Sequence, residues 1–549
     1  MILTLASNFF IIISVLGYSY LLKKFLFGEK NYNLVLFDII FGFFFLLFIS
    51  IIFNFFLPLE KLTLILFIFG VIIFIYCLFK KIVKINFWIL ISTISFFSYI
   101  FYDNGNNIDS AVYHIQSIKW SSQHKIPIGL SNLDWLYPLN SSWHTLLALF
   151  KFQVKDFNTL YVLNIIPLSM IYYEIFNFKK NLKKISYLTL YFSGIYLIIF
   201  SVIHPFKNGV IFNHYGNPEV DSIGMCFFIL STYLFLKYFE EKNKYNFNLL
   251  LVTSFLCVTS KITYASVVLF PIYILIYEKF LYLKSKIIFI TSILSTIWMI
   301  RSFLLSSCFI YPINLTCFNT KWFFGEEKIL QLVNLTKGFS RDTRLRDRYT
   351  DFDHVIYSYD WFVPWFNDYF LNTKMLLISS FIIIVSILVS ISNYFFINKI
   401  KLYPKAFYFL IFSFVISMLV WFQAPEIRFG WGLLIVYPCL FLAISVLNFS
   451  KFEIFYKKNL LMLCILGFFS LSIIKNFYNL TYKNLINPYE KKWDYSQITS
   501  LGKFNNEEIF LSNNWQCADF PGICVNIKKE NYQVHKRYNY LIFLNDKSE

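Results

Sequence analysis

The 549-residue chain is 58% hydrophobic and only 15% charged, with a mean hydropathy of +0.58, a mix that excludes a soluble globular domain. Its net charge of +18 sits mostly in short lysine clusters between apolar runs, which is how membrane topology is encoded, so a nucleic-acid partner is not expected. The 69 Phe, with abundant Ile, Asn and Lys, fit an AT-rich bacterial genome.

The first apolar run, Leu3 to Leu22, has no basic segment before it and no small-residue cleavage site after it, and reads as a retained span. A crossing helix needs about 20 apolar residues. The runs that qualify or nearly do are 3–21, 33–57, 62–79, 86–102, 157–177, 185–203, 222–238, 287–305, 374–397, 405–422, 431–448 and 459–476. The stretch 247–277, interrupted by Thr259-Ser260-Lys261, reads as a tight helical pair or a broken helix. Segment 139–150 is too short to cross and suits an interfacial helix.

Lysine clusters beginning at Lys23, Lys80, Lys179, Lys237, Lys279, Lys399 and Lys451 fall between alternate spans, and the positive-inside rule assigns them to the cytoplasm. The expected architecture is an all-α polytopic membrane protein of about fourteen membrane segments, with outer-face loops and a small α/β outer C-terminal tail. It divides into N-terminal spans (1–102), a first outer loop (103–156), central spans (157–305), a large outer loop (306–373), C-terminal spans (374–476) and the tail (477–549). The expected location is the bacterial cytoplasmic (inner) membrane, with the active face and both termini outside.

All seven His, and every Asp except Asp38, fall on or at the edge of that outer face, so polar chemistry is concentrated there. Four of nine cysteines also lie there, at 308, 317, 517 and 524; in an oxidising compartment Cys517 and Cys524 form the most plausible disulfide, two reduced thiols being the alternative. The tail carries strand-like runs at 508–511 and 540–543.

In the first outer loop, Asn104-Gly105 marks a turn, and Ala111, Ile115 and Ile118 form the apolar stripe of a short amphipathic helix lying on the membrane, with Asp109, Tyr113 and Gln116 on its other face. Asp109 there is a helix N-cap, or a general base or metal ligand beside His114. Asp103 is a turn residue or a second catalytic acid, and His114 and His144 are interfacial polar groups or site residues. A second acidic, His-bearing loop, 204–221, ends at Asp221, again in an N-cap-like position.

Lys261 and Arg301 each interrupt or end an apolar stretch. Either they snorkel to the headgroups, or they hold a phosphate at the interface, which Arg matches bidentately and Lys serves as a point charge. Arg341 to His354 is a mixed-sign run, read as a solvated face or a loop closing over an anionic headgroup, and Arg428 lies in a very short connection, Ala424 to Gly430, as an anchor or a phosphate ligand.

Tyr102-Asp103, Asp109 to His114, Asn140-Ser141-Ser142, Asn217 to Asp221, Trp298 to Arg301 with Tyr311-Pro312, Ala424 to Gly430 and Cys517 to Cys524 together look like a group of uncharacterised bacterial multi-span membrane proteins. The arrangement resembles the GT-C superfamily of polytopic glycosyltransferases, which take a sugar from a polyprenyl-phosphate carrier at the outer face. The resemblance implies that Asp109 or Asp103 is the acid of the first outer loop, that Lys261 and Arg301 face the carrier phosphate, and that Arg428 is the late outer-face arginine. Three or four spans precede the acidic loop here where many superfamily members have one, and no paired Asp-Glu motif is present.

The expected function is therefore transfer of a sugar from a lipid-linked donor to a glycan, lipid or protein acceptor, with His114 and Asp221 beside the substrate and a divalent metal on Asp109 as an option. The competing readings are an O-antigen polymerase or ligase, which would depend on the Arg341 cluster, and a transporter or flippase of lipid-linked glycans.

Overall fold

A computed structural model describes residues 2–28, 33–100, 108–154, 157–161, 163–177, 184–202, 216–342, 353–396, 404–447, 495–505, 507–526, 528 and 532–544. It is mostly helical, and Asp103, His204, His214 and the expected span 459–476 lie outside the described residues. Among the described residues, six helices are long and apolar enough to cross a membrane: Ile2–Phe27, Leu36–Asn54, Glu60–Phe79, Asp221–Glu241, Lys286–Ser306 and Ile427–Leu447. Phe362–Phe370 and Lys374–Ser386, bent by 98° at the break between them, pass the same test together and make a seventh if they are one span. Other expected spans form shorter apolar helices, Phe87–Tyr99, Ile185–Ile198, Ile262–Tyr277 and Tyr408–Phe422.

Burial separates the centre of the bundle from its rim. The apolar window of Asp221–Glu241 is 94% buried and that of Ile427–Leu447 83%, against 22% for Glu60–Phe79 and 28% for Lys286–Ser306. The rim helices leave Ile65, Phe79 and Phe289 largely exposed, a display that water does not tolerate and lipid does. Close helix approach relies on small residues: a Cβ added to Gly17 would meet the Gly70 carbonyl, so the crossing of Ile2–Phe27 over Glu60–Phe79 requires glycine on both sides.

The stretch 247–277 is a broken helix. Lys244–Ser260 ends at Lys261, a tighter 3-10 helix, Ile262–Val268, follows, and Leu269–Tyr277 completes it. Segment 139–150 contains an eight-residue helix, Ser142–Leu149, with every residue buried inside the protein rather than lying at an interface.

The expected membrane-surface helix of the first outer loop is also different. Ser110–His114 forms a wide π turn leading into Ile115–Gln123, and Gln116, Ser117 and Lys119 on its polar face are as buried as its apolar stripe. The cover is the tail. The described part of the tail consists of strands and turns: Ile498–Phe504 pairs antiparallel with Glu507–Ser512, which pairs parallel with Ile523–Val525, and Gln533–Arg537 pairs antiparallel with Tyr540–Leu544. Both strand-like runs of the sequence are thus strands, and Leu541 and Phe543 alternate inward between half-exposed neighbours. Ile509, Val525, Val534, Leu541 and Phe543 share one apolar core with Trp120, Ile126, Leu130 and Tyr137.

Candidate functional site

The functional candidates gather because the chain reverses at one end of the bundle. Asp221 opens its helix there, whereas Lys261 and Arg301 come after or near the ends of theirs, and Arg428 precedes Trp431–Leu447. A 21-residue helix is about 31 Å long, so the lysine clusters at the far end are distant from this group. There Lys23 pairs with Asp38 at 2.8 Å, Tyr245 donates to Asp38 at 2.7 Å, and Lys184 pairs with Glu241 at 3.2 Å. Asp38, the one aspartate expected away from the outer face, is therefore held in a buried structural pair.

Two ion pairs define the site. Arg428 pairs with Asp109, and Lys261 pairs with Asp221 at 2.5 Å. The pairs lie within electrostatic reach of each other, since Asp221 acts on Asp109 and Tyr113. Phe429 links them through the faces of its ring, with the Lys261 ammonium 4.8 Å and the Arg428 guanidinium 5.4 Å from the centroid. Gly224 makes room, because a Cβ there would stand 2.9 Å from the Lys261 Cβ and closer still to the Tyr264 ring.

These contacts replace the simpler sequence readings. Asp109 makes no side-chain cap hydrogen bond, and Asp221 is the first helical residue, not the cap. Neither Lys261 nor Arg301 reaches outward to snorkel, since both are tied to partners inside the protein.

Burial by itself would raise the Asp109 carboxyl, but the Arg428 guanidinium and His114 outweigh it and hold the group below the ordinary carboxylate value. Burial, then the Asp109 and Asp221 carboxylates, push the neighbouring Tyr113 phenol well above its usual range, so it stays a neutral donor. His114 Nδ1 and His144 Nε2 are 2.9 Å apart. Burial, followed by the His114 charge, keeps His144 well below the normal imidazole value.

Short polar segments fix this arrangement. Asn164 donates to the Asn217 and Glu219 carbonyls, both at 2.7 Å, and accepts from Trp143 at 2.7 Å, which sets the turn that delivers Asp221. Asn140 and Trp298 exchange hydrogen bonds at 2.9 and 3.0 Å. Ser141 donates to the Ser260 carbonyl at 3.0 Å, next to Lys261. Arg301 donates to Asn140 Oδ1 and, at 2.8 Å, to Ser121.

The tail forms a roof over the Asp109 segment, which the sequence did not disclose. Cys517 and Cys524 are disulfide-bonded, as are Cys308 and Cys317. Within the Cys517–Cys524 loop, Ala518 donates to the Ala111 carbonyl at 2.8 Å and accepts from Gln116 at 2.9 Å. Lys119 donates to the Phe520 carbonyl and to that of Gly522 at 2.8 Å, and Asn526 donates to the Val112 carbonyl at 2.9 Å. Burial brings the Lys119 ammonium down to about 8.

Arg341, by contrast, is committed to the backbone: it donates to Val355 at 3.0 Å and to Gln423 at 3.1 Å, and stacks on Trp361. Residues 343–352 of the mixed-sign run lie outside the described residues. Among the described residues no group of three or more His, Cys, Asp or Glu side chains is placed to hold a metal ion, and the Asp109 carboxylate is turned to a guanidinium. Among the described residues, then, the donors around Asp109 do not make up a metal site.

Residues 1–435 match the family described as Domain of unknown function (DUF8201), and the chain belongs to that family. The match contains Asp109, His114, Asp221, Lys261, Arg301 and Arg428 and stops short of the tail. No curated protein and no solved structure matches the chain.

Proposed function

We propose that this DUF8201 protein is a GT-C-like membrane glycosyltransferase that moves a sugar from a polyprenyl-phosphate donor to a hydroxyl of an envelope glycan, lipid or protein. The reading places the protein in the bacterial inner membrane with about fourteen segments, the site and both termini outside. The observation that carries it is the pairing of two carboxylates with two cations, Asp109 with Arg428 and Asp221 with Lys261, at one end of an apolar bundle.

In the resting protein each charge is neutralised by its partner. A lipid phosphate competes for the same cations, because Arg matches its oxygens bidentately and Lys supplies a point charge. As Arg428 turns to the phosphate, Asp109 loses the partner that lowers its pKa and becomes a better base. Asp109 then takes the proton of the acceptor hydroxyl while that oxygen bonds to the anomeric carbon of the sugar. The bond from that carbon to the phosphate oxygen breaks, and polyprenyl phosphate departs with the electron pair, stabilised by Arg428 and Lys261.

An apolar approach for the lipid supports the same reading. Phe362, Val363 and Phe366 are exposed beside the site, and Tyr369 of the same bent segment donates to Glu426 at 3.1 Å and accepts from the Ile427 amide at 3.0 Å, next to Arg428. Arg341, which a polymerase or ligase mechanism would require at the reaction, is bound to backbone carbonyls instead.

The test is photo-crosslinking of purified full-length protein with a polyprenyl-phosphate analogue carrying a diazirine near the phosphate. Labelled peptides from 424–430 and 221–261, lost on competition with unlabelled polyprenyl phosphate, are the expected result. Labelling confined to the rim helices would reject a phosphate site here.

A further inference from the structure

A second electrostatic feature lies outside the paired charges. Arg301 is 6% exposed, and its hydrogen-bond partners, Asn140 and Ser121, are both neutral. Its Nε–H has no acceptor among the described residues. Removing a guanidinium from water without a counter-charge is among the costliest arrangements in a protein, and such groups are ordinarily paired.

Arg301 lines a partly enclosed cavity of about 10 Å³ together with Ser117, Ser121, Ser141, His144 and Leu305. None of Asp109, Asp221, Lys261 and Arg428 lines it, so the cavity is distinct from the paired-charge site. A volume of that order accommodates one guest about the size of a water molecule. A water would satisfy hydrogen bonds without neutralising the guanidinium. A halide is larger than water but does both, and the cavity is only partly enclosed, so its open side gives the extra room. Ser117, whose hydroxyl makes just a long 3.4 Å contact to the Tyr137 carbonyl, is placed to turn its proton toward the guest. The site bridges three segments, 117–121, 140–144 and the end of Lys286–Ser306, so its occupant ties the first outer loop to the bundle.

We propose that this cavity is a specific site for a single small inorganic anion, chloride under ordinary conditions, held by Arg301 and completing the packing of the first outer loop. The inference does not depend on the glycosyltransferase reading.

The test uses the full-length protein in detergent, exchanged from sodium gluconate into sodium chloride at constant ionic strength. The thermal midpoint of the wild type is expected to rise saturably with chloride and bromide, Ser117→Ala to shift the half-saturating concentration upward several-fold, and Arg301→Gln to abolish the dependence. Because Arg301→Gln alone risks misfolding, the deciding measurement is on the wild type: bromide-soaked crystals should give an anomalous peak within hydrogen-bond distance of the Arg301 guanidinium. A flat chloride titration with no bromide peak overturns the proposal. So does stabilisation by dodecyl phosphate alone, which would instead give Arg301 to the lipid phosphate.

Discussion

Asp109 and Arg428 stand 319 residues apart in the chain and form an ion pair at one end of the bundle, each side chain about one-third exposed or less, at 27% and 31%. Partial exposure makes the pair exchangeable, because a charge still in contact with water can trade partners without a large desolvation penalty. Exchanging the two residues, Asp109→Arg with Arg428→Asp, should therefore restore much of the thermal stability that either single change loses. It should not restore transfer, since the base and the phosphate ligand would then occupy each other's places. Recovery of transfer by the swap would show that the pair is only structural.

Lys261 and Asp221 give a second, more buried test, with side chains 15% and 3% exposed. Lys261→Met leaves a buried carboxylate without its partner and removes a phosphate ligand, and should lower transfer by roughly 100-fold or more. Lys261→Arg keeps the charge and should retain part of the activity. Kinetic assays at saturating donor would separate the two; equal loss in both variants would argue against a role for the charge.

How much of this was legible in the sequence varies by residue. Lys261, Arg301 and Arg428 were visible because each charge interrupts or borders an apolar run, and Asp109 and Asp221 because each sits where such a run begins. Their pairing was not visible, since which helix ends meet is set by packing between segments distant in the chain. The reading of 110–118 as a membrane-surface helix failed for a related reason: Gln116 and Lys119 look like a solvated face until the tail, some 400 residues later, supplies their acceptors. The strands around 508–511 and 540–543 were legible as short apolar, aromatic and β-branched runs, a local signal that needs no distant partner.

Opening the Cys517–Cys524 bridge should loosen that roof. A loop this short gives a stabilisation of about 2.5 kcal/mol by chain entropy. Cys517→Ser with Cys524→Ser should lower the thermal midpoint and speed amide exchange at Ala518 and along 111–119, measured by mass spectrometry. Unchanged exchange would show that the Asp109 segment holds its shape without the tail.

Acid should act through His124, which lies against Trp120, itself packed on Phe543 of the tail. Burial, then Lys119, bring the His124 imidazole down to about 4. Its unfolded value is about 6.5, so between pH 6.5 and 4 the unfolded state binds more protons and stability falls as pH falls. The loss attributable to this group reaches about 3 kcal/mol. The thermal midpoint of His124→Gln should be flatter than that of the wild type across this window; parallel curves would exclude His124 as the cause.

The central claim is that Asp109 takes a proton during sugar transfer. The most direct measurement is transfer of label from a radiolabelled polyprenyl-phosphate sugar pool into envelope material, comparing wild type, Asp109→Asn and Arg341→Ala at matched expression. Asp109→Asn should cut transfer by about 100- to 10,000-fold, with Arg341→Ala near wild type. Full transfer by Asp109→Asn, or no transfer by the wild type, would contradict the account.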